Sequence, residues 1–126
     1  MDKVVHFEIP TDDLARAREF YGSIFGWDLQ DMPGDQPYTI VQTSPVDDKQ
    51  LPTERGAING GMFQRSSTTP SAPVITISVD AIDVALKEVE AHGGSVVQPR
   101  TEIPGMGAFA YFTDTEANVM GLWENM

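Results

Sequence analysis

The pattern of apolar and polar residues runs through the same order twice along this chain, and that repeat narrows the possible folds more than any other feature. The stretch "VVHFEIP" (4–10) is β-branched and aromatic and stops at Pro10, the signature of a strand. In "TDDLARAREFYGSIFGW", Thr11 or Asp12 is placed to cap a helix, and Asp13 adds charge at the positive end of its dipole. Leu14, Ala17, Phe20, Tyr21 and Ile24 recur at spacings of three and four, so this helix is amphipathic and ends between Gly22 and Gly26. Three strands follow in "WDLQDM", "YTIVQT" and "INGGMFQ", the last two separated by a long polar loop over 44–58.

After the Ser/Thr/Pro-rich connector "RSSTTPSAP" the order begins again. "VITISV" is a strand. "DAIDVALKEVEAHGG" is a helix with Asp80 as N-cap, Asp83 three residues on, and Ile82, Ala85, Leu86 and Val89 on its buried side. Gly93 stands where a left-handed C-cap is wanted, and "SVVQPR", "AFAYFT" and "VMGLW" supply three more strands. The expected class is α+β: two βαβββ modules, about 1–65 and 73–126, within one domain of 126 residues.

Composition removes several functions. Nineteen acids against eight Lys and Arg give a net charge of −11, which repels polyphosphate and anionic membrane surfaces. Neither nucleic acid nor a membrane is therefore expected as a partner. Cysteine is absent, which excludes disulfides, thiolate catalysis and cysteine zinc sites. No apolar run approaches the roughly 20 residues of a membrane span, and the opening "MDKVVHFEIP" lacks a signal-peptide core, so the expected location is the cytoplasm.

The duplicated βαβββ order, together with "IPTDDLARAREFYGSIFGW", "SVDAIDVALKEVEAHGGSVV" and "IPGMGAFAYFTDTEANVMGLWE", resembles the vicinal oxygen chelate superfamily, which includes glyoxalase I, bleomycin-resistance proteins and extradiol dioxygenases. The similarity is greatest to its small bacterial glyoxalase-like members. It implies a cupped, eight-stranded mixed sheet with helices on the convex face and a cleft on the concave face. Alternation along a strand then places Val5, Phe7 and Ile9 toward the helix and Val4, His6 and Glu8 toward the cleft. In the second module Ile75, Ile77 and Val79 pack inward while Val74, Thr76 and Ser78 face the cleft. On the last strand Val119, Gly121 and Trp123 face it, with Met120 and Leu122 behind.

In metal-dependent members the resemblance implies ligands on the first and last strands of each module, and His6 fits the first of these positions. At the other three stand Gly60 and Gly61, Val74, and Gly121, none of which coordinates a cation. Glu8 and Glu124 do not complete a set, because side chains at i and i+2 stand about 6.5–7 Å apart along a strand and Glu124 has the wrong parity. The expectation is no metal and no cofactor. His6 and Glu8 are the candidates for any acid–base chemistry, and Tyr38, Gly61, Met62, Val74, Thr76, Met106, Phe112, Gly121 and Trp123 are the candidates for lining a site for a small organic molecule. A metal-dependent lyase or dioxygenase with an unusual ligand set, and a drug- or metabolite-sequestering protein, are the rival readings. His92, in the last turn of the second helix, suits a dipole rather than a reaction. The 44–58 loop is the candidate lid, and Ala117 stands where relatives have glycine. Relatives commonly pair, so a homodimer is expected.

Overall fold

The computed structural model describes residues 1–34 and 37–126. Its elements follow the anticipated order: β1 (Lys3–Thr11), α1 (Leu14–Phe25), β2 (Asp28–Asp31), β3 (Tyr38–Gln42), β4 (Gly60–Gln64), β5 (Val74–Ser78), α2 (Ile82–Ala91), β6 (Ser95–Ile103), β7 (Gly107–Thr113) and β8 (Val119–Asn125). The eight strands form one mixed sheet in the order β2-β3-β4-β1-β5-β8-β7-β6. The β1–β4 and β5–β8 pairs are parallel, and the hairpin neighbours on either flank are antiparallel. Two compact units divide the chain: His6–Pro73, and Val74–Met126 together with Met1–Val5.

In the unit Val74–Met126 the core forms under α2. Ile82 and Leu86 are buried against Ala108, Ala110, Phe112 and Leu122, with Ile77, Val79, Ala85 and Val89 packed around them. The two alanines on β7 leave room for the helix to come close to the sheet. β6 is an edge strand and contains Pro99, which has no N–H for a ladder; one register shift precedes it, between Val96 and Gln98, and another spans it, between Gln98 and Thr101. Ile75 departs from its expected inward role and is 49% exposed. α2 lies chiefly over β6, β7 and β8, and Ile77 rather than Ile75 is the β5 residue packed against its core. Val5, grouped with the same unit, is also exposed rather than packed.

The cap of α2 is not Asp80. The N-cap residue is Ala81, which has no side chain able to accept a hydrogen bond, and Asp80 lies one residue too early. Instead the Ile82 N–H donates to Glu124 Oε2 at 2.7 Å, so a carboxylate from β8 serves the helix end. Arg100 Nη2 donates to Glu124 Oε1 at 2.9 Å and Arg100 Nη1 to Glu102 Oε1 at 3.2 Å. The parity that removed Glu124 from the metal argument is what turns it toward α2. At its C-terminus α2 ends at His92, whose Nδ1 lies 2.8 Å from the Glu88 carbonyl oxygen, and Gly93 follows with φ +99°.

In the unit His6–Pro73 the helix behaves differently. The N-cap of α1 is Asp13, whose Oδ1 accepts from the Arg16 N–H at 3.0 Å, while Thr11 donates to the Phe63 carbonyl and Asp12 pairs with Arg65. Gly26, with φ +69°, ends the helix, and Gly22 lies inside it. No residue of α1 is buried, and Phe20 and Ile24, expected on the packed side, are more than half exposed. The helix is held chiefly at its C-terminal end, where Tyr21 stacks on Trp27 with centroids 5.1 Å apart and planes 1° from parallel, and Trp27 in turn meets Phe7. Toward its N-terminal end a groove of about 350 Å³ separates Ala17 and Tyr21 from Ile9 and Pro10 on β1.

Two turns refine the loop expectations. In the 44–58 loop Asp47 Oδ1 accepts from the Lys49 and Leu51 N–H groups, and Val46 pairs with Pro52, so this segment has its own hydrogen-bonded turn. Before β8, Asp114 accepts from the Asn118 side-chain amide and from the Asn118 and Glu116 backbone N–H groups, and these bonds hold its carboxyl below the usual range. Ala117 sits in that turn at φ +65°, a left-handed conformation that glycine adopts without strain and alanine does not.

Arg100 and the Ile82 N–H hold the Glu124 carboxyl below its ordinary value. A carboxyl with a depressed folded-state pKa stabilises the fold fully above its unfolded pKa, and this contribution is lost as pH falls through the folded value. Glu124→Gln therefore lowers the melting temperature at pH 7. The difference from the native protein shrinks as pH drops below about 4.5, as thermal melts across pH will show.

Candidate functional site

Register decides which side chains share a face. Glu8 pairs with Gly61, and Gly61 with Ile40; Pro10 pairs with Phe63, and Phe63 with Tyr38. Since paired residues point to the same side of a sheet, one face of the unit His6–Pro73 carries His6, Glu8, Gly61, Phe63, Tyr38 and Ile40. The opposite face, toward α1, carries Phe7, Ile9, Gly60, Met62, Val41 and Thr39. Met62 is thus on the wrong side for the role expected of it: it is fully buried in the core, behind the strand that carries Gly61. Phe63 and Ile40 are the apolar neighbours that sequence reading missed.

Tyr38 joins His6 to Glu8. Its hydroxyl donates to Glu8 Oε2 at 3.0 Å and lies 3.2 Å from His6 Nε2. Two side chains at i and i+2 on a strand are too far apart to grip a single ion closely, yet one hydroxyl spans them. Gly61 makes this possible. A Cβ built there would run into the Tyr38 hydroxyl and ring, so the tyrosine lies over bare backbone. Gly60 has a separate reason to be glycine, since its Cβ would meet the Phe7 carbonyl and ring on the α1 face.

Burial pushes the His6 imidazole down to about 4, so it is neutral at physiological pH. Glu8 is 9% exposed.

The unit Val74–Met126 presents a second face of related construction. Thr76 pairs with Gly121 and Gly121 with Tyr111, while Ser78, Trp123 and Phe109 form the next row. Val74, Thr76, Gly121 and Trp123 fall on this face as expected. Val74 and Thr76 are nearly inaccessible, and a Cβ at Gly121 would stand 2.7 Å from Thr76 Oγ1 and 3.3 Å from Val74 Cγ1. Gly121 therefore serves the packing of its neighbours. Trp123 donates its indole N–H to Asn125 Oδ1 at 2.8 Å, and its ring passes over Gly107, where a Cβ would lie 2.7 Å from it. Phe112 is corrected: it faces α2 in the core, and the aromatics on the Gly121 face are Phe109 and Tyr111, in edge-to-face contact at 5.6 Å. The available signal was the alternation in "AFAYFT", where the small Ala108 and Ala110 mark the helix side. Met106 is at the turn between β6 and β7, 47% exposed, and lines neither face.

A catalytic divalent ion needs several converging donors. Such ions take three or four protein donors at about 2.0–2.6 Å. Among the described residues no group of three or more His, Asp or Glu converges in that way. His6 and Glu8 instead hold a tyrosine hydroxyl between them at hydrogen-bond distance.

Comparison with known proteins agrees with this architecture. The family described as bleomycin resistance protein-like N-terminal matches residues 3–44. A glyoxylase-like domain-containing protein of Didymella fabae is 30% identical over 114 residues, covering 88% of this chain and 84% of the relative. The putative glyoxylase CFP32 of Mycobacterium bovis is 26% identical over 121 residues, 93% of this chain; the chain spans only 43% of that protein's length. Among solved structures, methylmalonyl-CoA epimerase from Mycobacterium tuberculosis superposes with a TM-score of 0.67 over 98% of this chain and 87% of its own, at 14% identity, a likeness of fold alone. The chain belongs to the vicinal oxygen chelate superfamily of glyoxalase and bleomycin-resistance proteins. No helix is long and apolar enough to cross a membrane among the described residues.

A buried neutral histidine makes stability depend on pH. The unfolded imidazole, with an ordinary value near 6.5, binds protons that the folded one refuses down to about 4. Acidification through that window therefore costs stability, in full about 3 kcal/mol. Urea denaturation of His6→Gln against the native protein should show this component missing between pH 6.5 and pH 4.

Proposed function

We propose that this protein binds a small organic molecule on the His6–Tyr38–Glu8 face without a divalent metal, with any chemistry limited to proton transfer through those groups. The observation that carries this reading is the Tyr38 hydroxyl seated between His6 and Glu8 above Gly61. Ile40 and Phe63 add apolar surface on the same face, so the surroundings suit a ligand with an apolar body and a few polar groups.

Two rivals are weighed against it. A metal-dependent lyase or dioxygenase is favoured by the kinship with glyoxylase-like proteins and by the epimerase fold, but it lacks donors at Gly61, Val74 and Gly121. A sequestering protein, which holds its ligand unchanged, is favoured by the match to the bleomycin resistance-like family, and the net charge of −11 suits a cationic ligand. The chain is also proposed to work as a homodimer, because the outward Phe20, Ile24 and Phe25 are each more than half exposed on α1. A reducing, cytoplasmic setting accords with a fold that uses no disulfide.

The test is elemental analysis of protein purified without chelator, followed by calorimetric titration with Ni²⁺ and Zn²⁺. The expected outcome is substoichiometric metal as isolated and no change in weak, nonspecific heats on His6→Ala substitution. Stoichiometric metal lost with His6→Ala overturns the proposal in favour of the lyase or dioxygenase.

A further inference from the structure

The Tyr38 bridge has a polarity. Tyrosine owns one hydroxyl proton, and here it is donated to Glu8 Oε2. Toward His6 the same oxygen then offers only lone pairs, so the proton on the 3.2 Å contact belongs to His6 Nε2. A neutral imidazole has a single N–H. With that hydrogen on Nε2, Nδ1 is left as an acceptor. Nδ1 has no hydrogen-bond partner among the described residues, and no buried side-chain nitrogen or oxygen among them lacks one. The Nδ1 lone pair is therefore accessible.

We infer that Tyr38 sets the polarity of the site: by holding His6 as the Nε2–H tautomer it turns Nδ1 outward as a hydrogen-bond acceptor, so the site selects small molecules that present an O–H or N–H donor. This rests on the metal-free reading and deepens it. A divalent ion is an electrophile and attracts the lone pairs of a chelating ligand. A neutral imidazole nitrogen does the reverse and rewards a proton donor. Replacing an ion by a tyrosine-oriented histidine therefore inverts which end of a ligand is recognised. Tyr38 acts through His6 and is a positioning residue; Gly61 is the position that admits it, since any Cβ there displaces the hydroxyl. Burial, which keeps the imidazole uncharged across the neutral range, maintains the acceptor.

The experiment is ¹⁵N NMR of histidine-labelled protein at pH 7, alone and with two probes of nearly equal shape, phenol and anisole. Phenol has the donor; anisole has a methyl in its place. The expected spectrum of the free protein shows His6 with Nε2 protonated and Nδ1 bare. In Tyr38→Phe the tautomer preference is lost, and in Gly61→Ala it weakens because the hydroxyl is pushed aside. A merely structural tyrosine would leave the tautomer unmoved. Phenol is expected to bind more tightly than anisole by about three- to tenfold, the size of one neutral hydrogen bond, and to shift Nδ1; Tyr38→Phe is expected to abolish the difference. A wild-type His6 protonated on Nδ1, or equal affinity for the two probes, overturns the inference while leaving metal-free binding intact. If neither probe binds, the tautomer decides alone, and if Gly61→Ala does not fold, Tyr38→Phe supplies the comparison. Stoichiometric metal on His6 overturns the underlying reading instead, and elemental analysis of the same sample distinguishes the two failures.

Discussion

The approach of the Tyr38 ring to the bare backbone of Gly61 is the contact on which the site depends. A side chain at position 61 would fill the volume that the hydroxyl occupies, and His6 and Glu8 would then stand two residues apart with nothing between them. With the hydroxyl in place, a buried carboxylate and a half-buried imidazole are tied into one hydrogen-bonded group. The cost of burying polar atoms is offset because each finds a partner. The same contact explains how a histidine and a glutamate two residues apart on one strand share a single hydroxyl.

Glycine has a comparable role in the other unit, with a different outcome. At Gly121 the freed space is taken by Val74 and Thr76, and at Gly107 by the Trp123 ring. Val74 and Thr76 are nearly inaccessible there, so the glycines of this face serve close packing. In one unit the space over a glycine admits a tyrosine hydroxyl, and in the other it admits packed side chains. Membership in a superfamily describes both frameworks equally well and does not distinguish them; the side chains resting on the glycines do.

The two helices illustrate how far periodicity carries. Both have apolar residues at spacings of three and four, and both form where that spacing places them. Only α2 buries its stripe, because β7 offers Ala108 and Ala110 beneath it. α1 leans on Tyr21 and Trp27 at one end and leaves Phe20 and Ile24 outward. The spacing of a helix specifies a face. What that face meets is settled by the size of side chains elsewhere in the chain. The caps teach the same lesson: Asp13 reaches its own first turn, whereas α2 is capped from 42 residues away by Glu124.

Much of the protein was legible in its residues. Strand alternation placed His6 and Glu8 on one face and Val74, Thr76, Gly121 and Trp123 on another, because a period of two is a property of the backbone. The order of ten elements followed from local rules of the same kind. Met62 and Phe112 were misplaced where two adjacent apolar residues, Gly61–Met62 and Tyr111–Phe112, left the parity of the strand open; pairing with Glu8 and with Gly121's neighbours resolved it. The sequence alone determined which residue types were available at each strand position. Only the tertiary structure decided that Tyr38, 30 residues from Glu8, would complete the group, because a hydroxyl's position depends on how β3 registers against β4 and on the empty space over a glycine.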